Sequence, residues 1–441
     1  MKIWHNICLI ISNMYSKWAI IADDFTGAGD SAVHFVSQGD PVLLLVNKNA
    51  FKEIGDKPET IVLNTDTRFL DRDIAYRKVF EATCNLYSWG YRNIFKKIDS
   101  TLRGNPADEI AAVMDAGGFK FVIVAPSAPK NRRTVVDGIC MINGVPLHKT
   151  TIANDPFTPI TSDKISDIFQ IRFSQSIKEL PLSCIRSKKD NLFEIVKNEV
   201  TRGTRVFISD AESIEDLKKL SSLSSLEGIL FAGSSGLAEA LAGSVNHFSS
   251  MHTPVIPLNQ ILFTIGSLSE QSQLQCKNLL DNEDINEIIV DASNIVIDPQ
   301  KERDRILRKL DYLRQKCPIL LRTDAIINKT DSGSIDKNIG AIVSQFLGDL
   351  SREIIQRCNI KLLFASGGDT ASQIIKYLDT DVIRFVSEII PGIPFGYFNS
   401  PAVGRRIYFI SKSGGFGEED AMLQCLRLVS SGTVNEWQGE Q

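Results

Sequence analysis

The sequence predicts an α/β protein of two domains, each built on a mostly parallel β-sheet, and three observations support this prediction. The chain has 441 residues, which is more than one hydrophobic core usually serves. Short apolar runs alternate with stretches of helical periodicity, as strand–helix–strand units require. The alternation is interrupted at Phe248–Leu258, where two prolines and two serines leave no helical period.

The first domain contains apolar runs of strand length that are separated by helical stretches. The predicted strands are Trp18–Ala22, Pro41–Val46, Thr60–Leu63, Asn93–Ile98, Phe121–Ala125, Arg205–Ile208 and Gly228–Ala232. The predicted helices are Ser31–Gln38, Arg72–Trp89, Ala107–Asp115, Asn191–Val200 and Ile214–Leu220. Ile139–Leu147 has Asn143-Gly144 at its centre, a pair that favours a tight turn, so we expect a β-hairpin inserted into the sheet.

The same alternation restarts after the interruption, which we interpret as a linker. The predicted strands of the second domain are Ile261–Ile265, Ile288–Asp291, Ile319–Arg322, Leu362–Ala365 and Arg406–Ile410. Its predicted helices are Ser269–Leu280, Lys301–Gln315, Ile339–Arg357 and Thr370–Tyr377. The expected divisions are a disordered extension (1–16), a first domain (17–247), a linker (248–258) and a second domain (259–441). Met14 is then the more natural start.

Composition and charge exclude several classes of protein. The net charge of -4 offers no basic surface for nucleic acid. The apolar run Ile7–Ile11 is far too short to span a bilayer, so we expect no membrane partner. The eight cysteines form no Cys-x-x-Cys pair and the five histidines show no ligand spacing. This usage argues against a zinc site or a disulfide framework and is typical of the reducing cytoplasm.

Two adjacent carboxylates, Asp23 and Asp24, follow the first predicted strand and precede a glycine-rich turn. Chemistry in open α/β sheets collects at the carboxyl ends of strands, and adjacent like charges are hard to explain as a stabilising feature. We interpret the pair as a polyol site in which one Asp takes a proton from a hydroxyl. Two alternatives remain: acids that cap the next helix, and a dinucleotide fingerprint at Gly27-Ala28-Gly29, which the acid pair disfavours because it would repel a pyrophosphate.

Polar and basic residues also follow three further predicted strands of the first domain. These segments are Asn64–Arg68, Lys97–Gly104 and Pro126–Arg133. If the strands are parallel, all three segments meet Asp23 and Asp24 at one edge. A carboxylated polyol suits such a site: Arg68 and Lys97 would grip its carboxylate with Arg103 assisting, and Asp99 and Ser100 would bind its hydroxyls. The alternative for any one of them is a helix cap or a surface ion pair.

Three turns of glycine and small residues lie where strands of the second domain meet helices. They are Thr264–Ser269, Ala365–Ala371 and Ser411–Gly417. Main-chain N–H groups at helix N-termini bind phosphates, and glycine lets the backbone approach a ligand closely. The three turns, together with Lys412, indicate a nucleotide site without a Walker lysine motif. A fourth turn, Ala232–Gly236, closes the first domain and receives no definite role.

In these motifs the chain resembles the four-carbon acid sugar kinases. The resemblance covers nearly all of the chain after Lys17, with the motifs in the family's order. The residues that carry it are Ala22–Ala28, Lys97–Gly104, Gly233–Ala238, Gly367–Ala371 and Lys412–Gly417. A departure is Lys130-Asn131-Arg132-Arg133, where the family has a single Arg after a small residue. Ile152–Pro156 looks more like the threonate and erythronate members than the oxo-acid members.

The resemblance implies an ATP-dependent kinase acting on the terminal hydroxyl of D-threonate or D-erythronate, with 3-oxo-tetronate as the alternative. It implies a sugar-acid domain, a nucleotide domain and a cleft between them, and it leaves a homodimer open. Asp24 would be the base. By resemblance, substrate would contact Asp24, Arg68, Lys97, Ile98, Asp99 and Ser100, and ATP would contact Ser267, Gly367, Gly368, Asp369, Thr370 and Gly414. The strand-end and glycine-turn patterns add Asp23 and Arg103 to the predicted substrate site and Gly415 to the predicted nucleotide site.

The implied mechanism is in-line phosphoryl transfer, in which positioning and charge neutralisation supply most of the rate. Mg²⁺ would arrive with ATP, and Asp369 is the candidate ligand for it. Two rival functions are an NAD(P)-dependent dehydrogenase that uses Gly27-Ala28-Gly29 and a non-catalytic sugar-acid sensor. The dehydrogenase needs an acid about 20 residues further on, and Val46–Phe51 offers none.

Overall fold

The computed structural model describes residues 17–36, 41–46, 50–51, 54, 57–154, 160, 162–174, 176–187, 191–243, 254–324 and 337–431. The chain divides into two compact units, residues 1–247 and 248–441. The expected extension 1–16, residues 248–253 of the expected linker and residues 155–156 of the Ile152–Pro156 segment lie outside the described residues.

The main sheet of the first unit is wholly parallel in its described pairings. Its strands are β1 Trp18–Ala22, β2 Val42–Leu45, β3 Thr60–Asn64, β4 Asn93–Lys97, β5 Phe121–Ala125, β9 Ile177–Leu180, β10 Val206–Ser209 and β11 Ile229–Gly233. They lie in the order β2-β3-β1-β4-β11-β5-β10-β9. Strands β1 and β5 are almost continuously apolar and buried, as parallel strands covered on both faces are.

The helices of the first unit follow its strands in the alternation that the sequence predicts. They are α1 Phe25–Ala32, α2 Arg72–Ser88, α3 Pro106–Gly117, α4 Ile165–Phe173, α5 Leu182–Ile185, α6 Leu192–Thr201, α7 Ile214–Ser221 and α8 Ser235–Ala242. The predicted start of the first helix at Ser31 is wrong, because Asp24 caps α1 and the glycines of the supposed turn already have helical geometry. Glycine content therefore predicts the start of a helix poorly when a residue that makes a good N-cap precedes the glycines.

The register of the central strands brings the candidate residues to one level. Ala22 at the end of β1 lies opposite Asn64 of β3 on one side and Lys97 of β4 on the other. The residues that follow these three strands therefore leave the sheet side by side. The register confirms the expectation that the polar segments after β3 and β4 meet Asp23 and Asp24 at one edge.

A separate three-stranded sheet lies in the same unit. It is antiparallel and consists of β6 Arg133–Val136, β7 Ile139–Ile142 and β8 Val145–Pro146. Asn143 and Gly144 link β7 to β8 with φ of 52° and 75°, the pair of positive values that a two-residue hairpin turn of type I′ needs. The predicted hairpin is confirmed, but it belongs to this small sheet and is not inserted into the main one.

The sheet of the second unit combines parallel and antiparallel strands. Its strands are β12 Ile261–Ile265, β13 Asn286–Val290, β14 Ile319–Thr323, β15 Leu362–Ser366, β16 Val382–Ile390, β17 Ile393–Ser400 and β18 Arg405–Lys412. They lie in the order β13-β14-β12-β15-β18-β17-β16, with β17 antiparallel to both of its neighbours. The helices are α9 Glu270–Asn282, α10 Ala292–Ile297, α11 Pro299–Leu310, α12 Lys337–Arg357, α13 Gly368–Tyr377 and α14 Ala421–Ser431.

This architecture confirms the predicted fold class of two α/β domains with mainly parallel strands. Strands β9, β16 and β17 were not predicted, because their mixed polar and apolar residues give no apolar run. The core of the second unit packs α9 and α14 against the sheet through residues such as Phe263, Leu279, Phe364 and Met422. Across the described part of the chain, no helix has the length and apolarity needed to cross a membrane.

Candidate active site

Asp23 and Arg68 form a buried bidentate ion pair at the carboxyl edge of the first sheet. Arg68 Nε donates to Asp23 Oδ2 at 2.8 Å and Arg68 Nη2 donates to Asp23 Oδ1 at 2.9 Å. The main-chain N–H groups of Thr67 and Arg68 also donate to the Asp23 carbonyl. Burial raises the pKa of Asp23, but the Arg68 charge and its hydrogen bonds outweigh that effect and leave the pKa below its ordinary value.

Asp24 is held by three donors and caps helix α1. Its Oδ1 accepts from the Gly27 N–H at 3.0 Å and from Arg68 Nη2 at 2.7 Å, and its Oδ2 accepts from the Thr26 hydroxyl at 2.8 Å. A Cβ on Gly27 would lie 2.4 Å from Asp24 Oδ1 and 2.9 Å from Lys97 Nζ. The structure therefore confirms that Asp24 caps the next helix. Asp23 does not cap it and pairs with Arg68.

The segment after β4 contains a second charged cluster beside the first. Arg103 Nε donates to Asp99 Oδ2 at 2.7 Å, and the Thr101 hydroxyl donates to the same oxygen. Burial raises the pKa of Asp99, but Arg103 and Arg68 lower it more, and the result lies well below the ordinary value. Lys97 is buried and its Nζ donates to the Ile98 carbonyl at 3.1 Å.

Ser100 joins the third polar segment to this edge. Its hydroxyl oxygen accepts a hydrogen bond from Nη1 of Arg133, the first residue of β6. The geometry thus brings Asp23, Asp24, Arg68, Lys97, Ile98, Asp99, Ser100 and Arg103 together, as the sequence predicts, and it adds Arg133. The sequence places Arg133 after a strand end but cannot show which residue it faces.

Asp30 is a second residue of the site that sequence reasoning missed. It lies on α1, hydrogen-bonds Ser235 of α8 and faces the charges of Lys97, Asp24 and Arg133. Burial is the main cause that raises its pKa to about 6. Strand β11 lies between β4 and β5, so the turn at Ser234 and Ser235, which received no role, belongs to the middle of this edge. The sequence shows this turn, but it does not show the strand order that places the turn in the middle of the edge.

The second unit brings its three glycine turns together, because β12, β15 and β18 are neighbours. A Cβ on Gly414 would lie 2.0 Å from Ser267 Oγ, and a Cβ on Gly266 would lie 1.9 Å from Thr370 Oγ1. Gly367 caps α13 with φ of +104°, which an L side chain rarely adopts. Ser267, Gly367, Thr370 and Gly414 are therefore close neighbours, with Gly368 and Asp369 in the first turn of α13 and Gly415 beside Gly414.

Lys412 has a structural role within these turns. Its side chain is buried and its Nζ donates to the carbonyls of Ser413, Gly414 and Phe416 at 2.9, 3.0 and 3.1 Å. Burial lowers its pKa to about 8. Lys412 therefore shapes the turn, because its Nζ donates to three carbonyls of the turn itself.

The described residues contain no cluster of three or more His, Cys, Asp or Glu side chains placed to hold a metal ion. Asp369, which the sequence made the candidate ligand for a nucleotide-bound cation, lies exposed in the first turn of α13. The dinucleotide hypothesis gains no support, since Gly27 and Gly29 lie inside α1 and the space beside Gly27 is filled by Asp24 and Lys97.

Comparisons with known proteins assign a description to each unit. A family model described as a sugar-binding N-terminal domain matches residues 18–241. A second model, described as a nucleotide-binding C-terminal domain, matches residues 262–422. The charged edge of the first sheet thus lies in the sugar-binding match, and the glycine turns lie in the nucleotide-binding match.

Curated relatives align over almost the whole chain. A D-threonate kinase of Salmonella typhimurium is 29% identical and covers 94% of this chain and 98% of its own. A D-erythronate kinase of Heliobacterium modesticaldum is 26% identical, and the match covers 96% of this chain and 99% of that protein. A 3-oxo-tetronate kinase of Pseudomonas fluorescens is 25% identical, and the match covers 96% of this chain and 100% of that protein.

Solved structures share the fold of this chain. A structure from Salmonella typhimurium has a TM-score of 0.77 and 21% identity, and the match covers 93% of this chain and 99% of that one. One from Haemophilus influenzae has a TM-score of 0.69 and 20% identity, and covers 93% and 100%.

Proposed function

The chain belongs to the four-carbon acid sugar kinase family, and on that premise we propose that it transfers the γ-phosphate of ATP to the terminal C4 hydroxyl of a four-carbon sugar acid. D-threonate and D-erythronate are the proposed substrates, because relatives that act on them are among the most similar proteins. 3-Oxo-tetronate is the alternative that a further set of relatives supports.

The observation that carries this proposal is the pair of carboxylates that one guanidinium holds at the edge of the first sheet. Asp24 keeps a fixed orientation because Gly27, Thr26 and Arg68 all donate to it. Its side chain still has 16% of its surface exposed, so a substrate hydroxyl can reach it. We assign to Asp24 the orientation and deprotonation of that hydroxyl, a contribution of about 10²–10⁴ in rate.

The other residues of this edge bind the substrate. Asp99 offers acceptors to the sugar's own hydroxyl groups, Ser100 offers its hydroxyl to the substrate, and Ile98 contributes its main chain. Lys97 supplies positive charge beside Asp24. Fixed dipoles and charges of this kind lower the barrier of phosphoryl transfer mainly by holding the reactants in line.

ATP is assigned to the turns of the second unit. Ser267, Gly367, Thr370 and Gly414 lie close enough to form one small-residue surface, and the N–H groups at the start of α13 favour negative charge. Gly368 and Gly415 extend that surface. Asp369 would hold Mg²⁺ directly or through water, and the cation would offset the phosphate charge.

A coupled assay of ADP release tests the function. The purified chain is given ATP and Mg²⁺ with D-threonate, D-erythronate, their L-isomers and 3-oxo-tetronate in turn. We expect turnover with D-threonate or D-erythronate, and ³¹P–¹H NMR of the product should place the new ester on C4. Turnover with 3-oxo-tetronate alone would contradict D-threonate and D-erythronate as substrates and would support the alternative, a 3-oxo-tetronate kinase.

This assay, together with a thermal-shift experiment, separates the rival functions. A sugar-acid sensor would bind the acid without releasing ADP from ATP. A dehydrogenase would be stabilised by NAD(P) in a thermal-shift experiment and not by ATP with Mg²⁺. Either result would contradict the proposed kinase.

A further inference from the structure

The cations at the edge of the first sheet differ in how fully they are already paired. Arg68 is engaged with Asp23 and Asp24, and Arg103 is engaged with Asp99. Lys96, at the end of β4, is buried and pairs with the buried Glu109 at 2.8 Å. Each of these three cations is therefore already paired with a carboxylate of the protein.

Arg133 and Lys97 lie outside these pairs; Lys97 Nζ donates to the Ile98 carbonyl and offers a point charge, whereas Arg133 offers a planar fork. The single side-chain hydrogen bond of Arg133 to the described residues goes to the neutral Ser100 hydroxyl, and Arg133 forms no ion pair with any of them. The side chain is only partly exposed. Burial lowers the pKa of Arg133, and the neighbouring Arg103 and Arg68 add to that effect, while Asp99 and Asp30 act against it from a distance. A desolvated guanidinium without a contacting counter-ion strongly favours an incoming anion.

The geometry around Arg133 suits a carboxylate. A guanidinium carries five N–H donors in a planar fork that matches the two oxygens of a carboxylate, and only one donor is used on Ser100. Since the Ser100 oxygen accepts from Arg133, the hydroxyl proton of Ser100 is left for a second acceptor. The pair therefore offers a bidentate fork and an additional donor side by side.

Arg68 is less suited to this task, although the sequence made it the first choice. Its Nε and both Nη2 protons already go to Asp23 and Asp24 at 2.7–2.9 Å. Moving Arg68 onto a ligand would leave the buried Asp23 carboxylate unpaired, which is costly. Arg68 therefore acts as the residue that positions the two acids.

We propose that Arg133, with the Ser100 hydroxyl beside it, binds the carboxylate of the sugar acid and so makes the site select acids over neutral polyols. The proposal rests on the proposed function, which supplies an acidic substrate. Four-carbon polyols such as D-threitol carry the same terminal hydroxyl without the carboxylate, so they isolate the contribution of Arg133.

The test compares the wild-type chain with Arg133→Met, Arg133→Lys, Arg133→Ala and the neighbouring Arg132→Met. Arg132 is exposed and serves as the matched control for loss of one positive charge. Calorimetric titration with D-threonate should show Kd raised by about 10- to 100-fold in Arg133→Met, since a charge-assisted bond is lost. Arg133→Lys should be intermediate because it keeps the charge without the fork, and Arg132→Met should bind as the wild type does.

A second readout distinguishes carboxylate binding from a structural role. The kcat/KM for D-threonate should fall in Arg133→Met while that for D-threitol stays within about threefold, and added guanidinium should restore part of the lost activity of Arg133→Ala. An equal fall for both substrates without rescue, or an unchanged Kd for D-threonate, would overturn the proposal. Failure of the wild-type chain to release ADP with any acid would instead refute the proposed kinase.

Discussion

At the scale of single residues, Asp24 serves as a helix cap and as the proposed base. Asp24→Asn should keep the fold and ATP binding but lose about 10²–10⁴ in turnover, because an amide cannot take the proton of the hydroxyl. Steady-state ADP release measures turnover, and a thermal shift with ATP and Mg²⁺ measures nucleotide binding. The control is Asp66→Asn, an exposed acid that follows β3. A variant that keeps more than about a tenth of the turnover would transfer the role to another acid.

Arg68 connects stability to substrate binding. Arg68→Ala should lower the free energy of unfolding by about 3–5 kcal/mol, because Asp23 is 3% exposed and would lose its buried partner. The acid pair would also lose its orientation, so sugar-acid binding should weaken while ATP binding is unchanged. Urea denaturation and separate calorimetric titrations measure both effects. A loss confined to ATP would contradict the assignment of the first sheet to the sugar acid.

Asp30 makes stability depend on pH. Its pKa is raised from 3.8 to about 6 in the folded chain, so the folded state binds a proton there more readily than the unfolded state. Its stabilising contribution is present below about pH 4 and is lost as the pH rises through 6. We expect about 1–2 kcal/mol, since one pKa unit corresponds to about 1.4 kcal/mol and the carboxylate keeps some hydration.

Urea denaturation of the wild-type chain and Asp30→Asn between pH 5 and 8 checks this expectation. The variant should gain stability relative to the wild type as the pH rises, because its amide does not ionise. A difference in unfolding free energy that stays constant across the range would show that Asp30 titrates normally.

At the scale of elements, the turn between β18 and α14 can be tested with two adjacent glycines. Gly414→Ala should destabilise this turn and weaken ATP binding, because the new Cβ would lie 2.0 Å from Ser267 Oγ. The space around Gly415 is open, with no atom within 4 Å of a Cβ. Gly415→Ala should therefore leave stability unchanged and reduce affinity only if the nucleotide approaches there. Thermal unfolding and titration with a fluorescent ATP analogue measure the two effects separately.

The same turn shows why a lysine beside glycines is ambiguous in a sequence. Lys412 could point to a phosphate or turn back to its own loop, and only the tertiary structure shows that three carbonyls hold it. Gln275 performs a similar task, since its Nε2 donates to the carbonyls of Phe416, Gly417 and Glu418. The loop is shaped by side chains from its own strand end and from α9.

At the scale of the whole molecule, the two binding functions should be separable by mutation. Gly368→Val places a branched side chain in the first turn of α13 and should abolish ATP binding while D-threonate still binds. Calorimetry of each ligand on the full chain measures this, and Asp24→Asn is the reciprocal control that keeps ATP and loses turnover. Loss of sugar-acid binding alone in Gly368→Val would reverse the assignment of the two domains.

The sequence by itself determined the α/β class and most strand positions, because apolar runs and helical periods are local properties. It also identified many residues of the carboxyl edge, though not Asp30 or Ser235, since polar segments after parallel strands must collect there. It missed β16 and β17, because their mixed polar and apolar residues give no apolar run, although each pairs with a strand next to it in the chain.

Only the tertiary structure decided which charges pair with which. Strand β11 lies between β4 and β5, and this order places Ser235 beside Asp30. In the folded chain Arg68 pairs with Asp23, whereas Arg133 contacts Ser100. The physical reason is that a strand pattern fixes which residues reach an edge, whereas pairing and desolvation depend on distances between segments that are far apart in sequence. The proposed substrate contacts within the edge are argued from those distances.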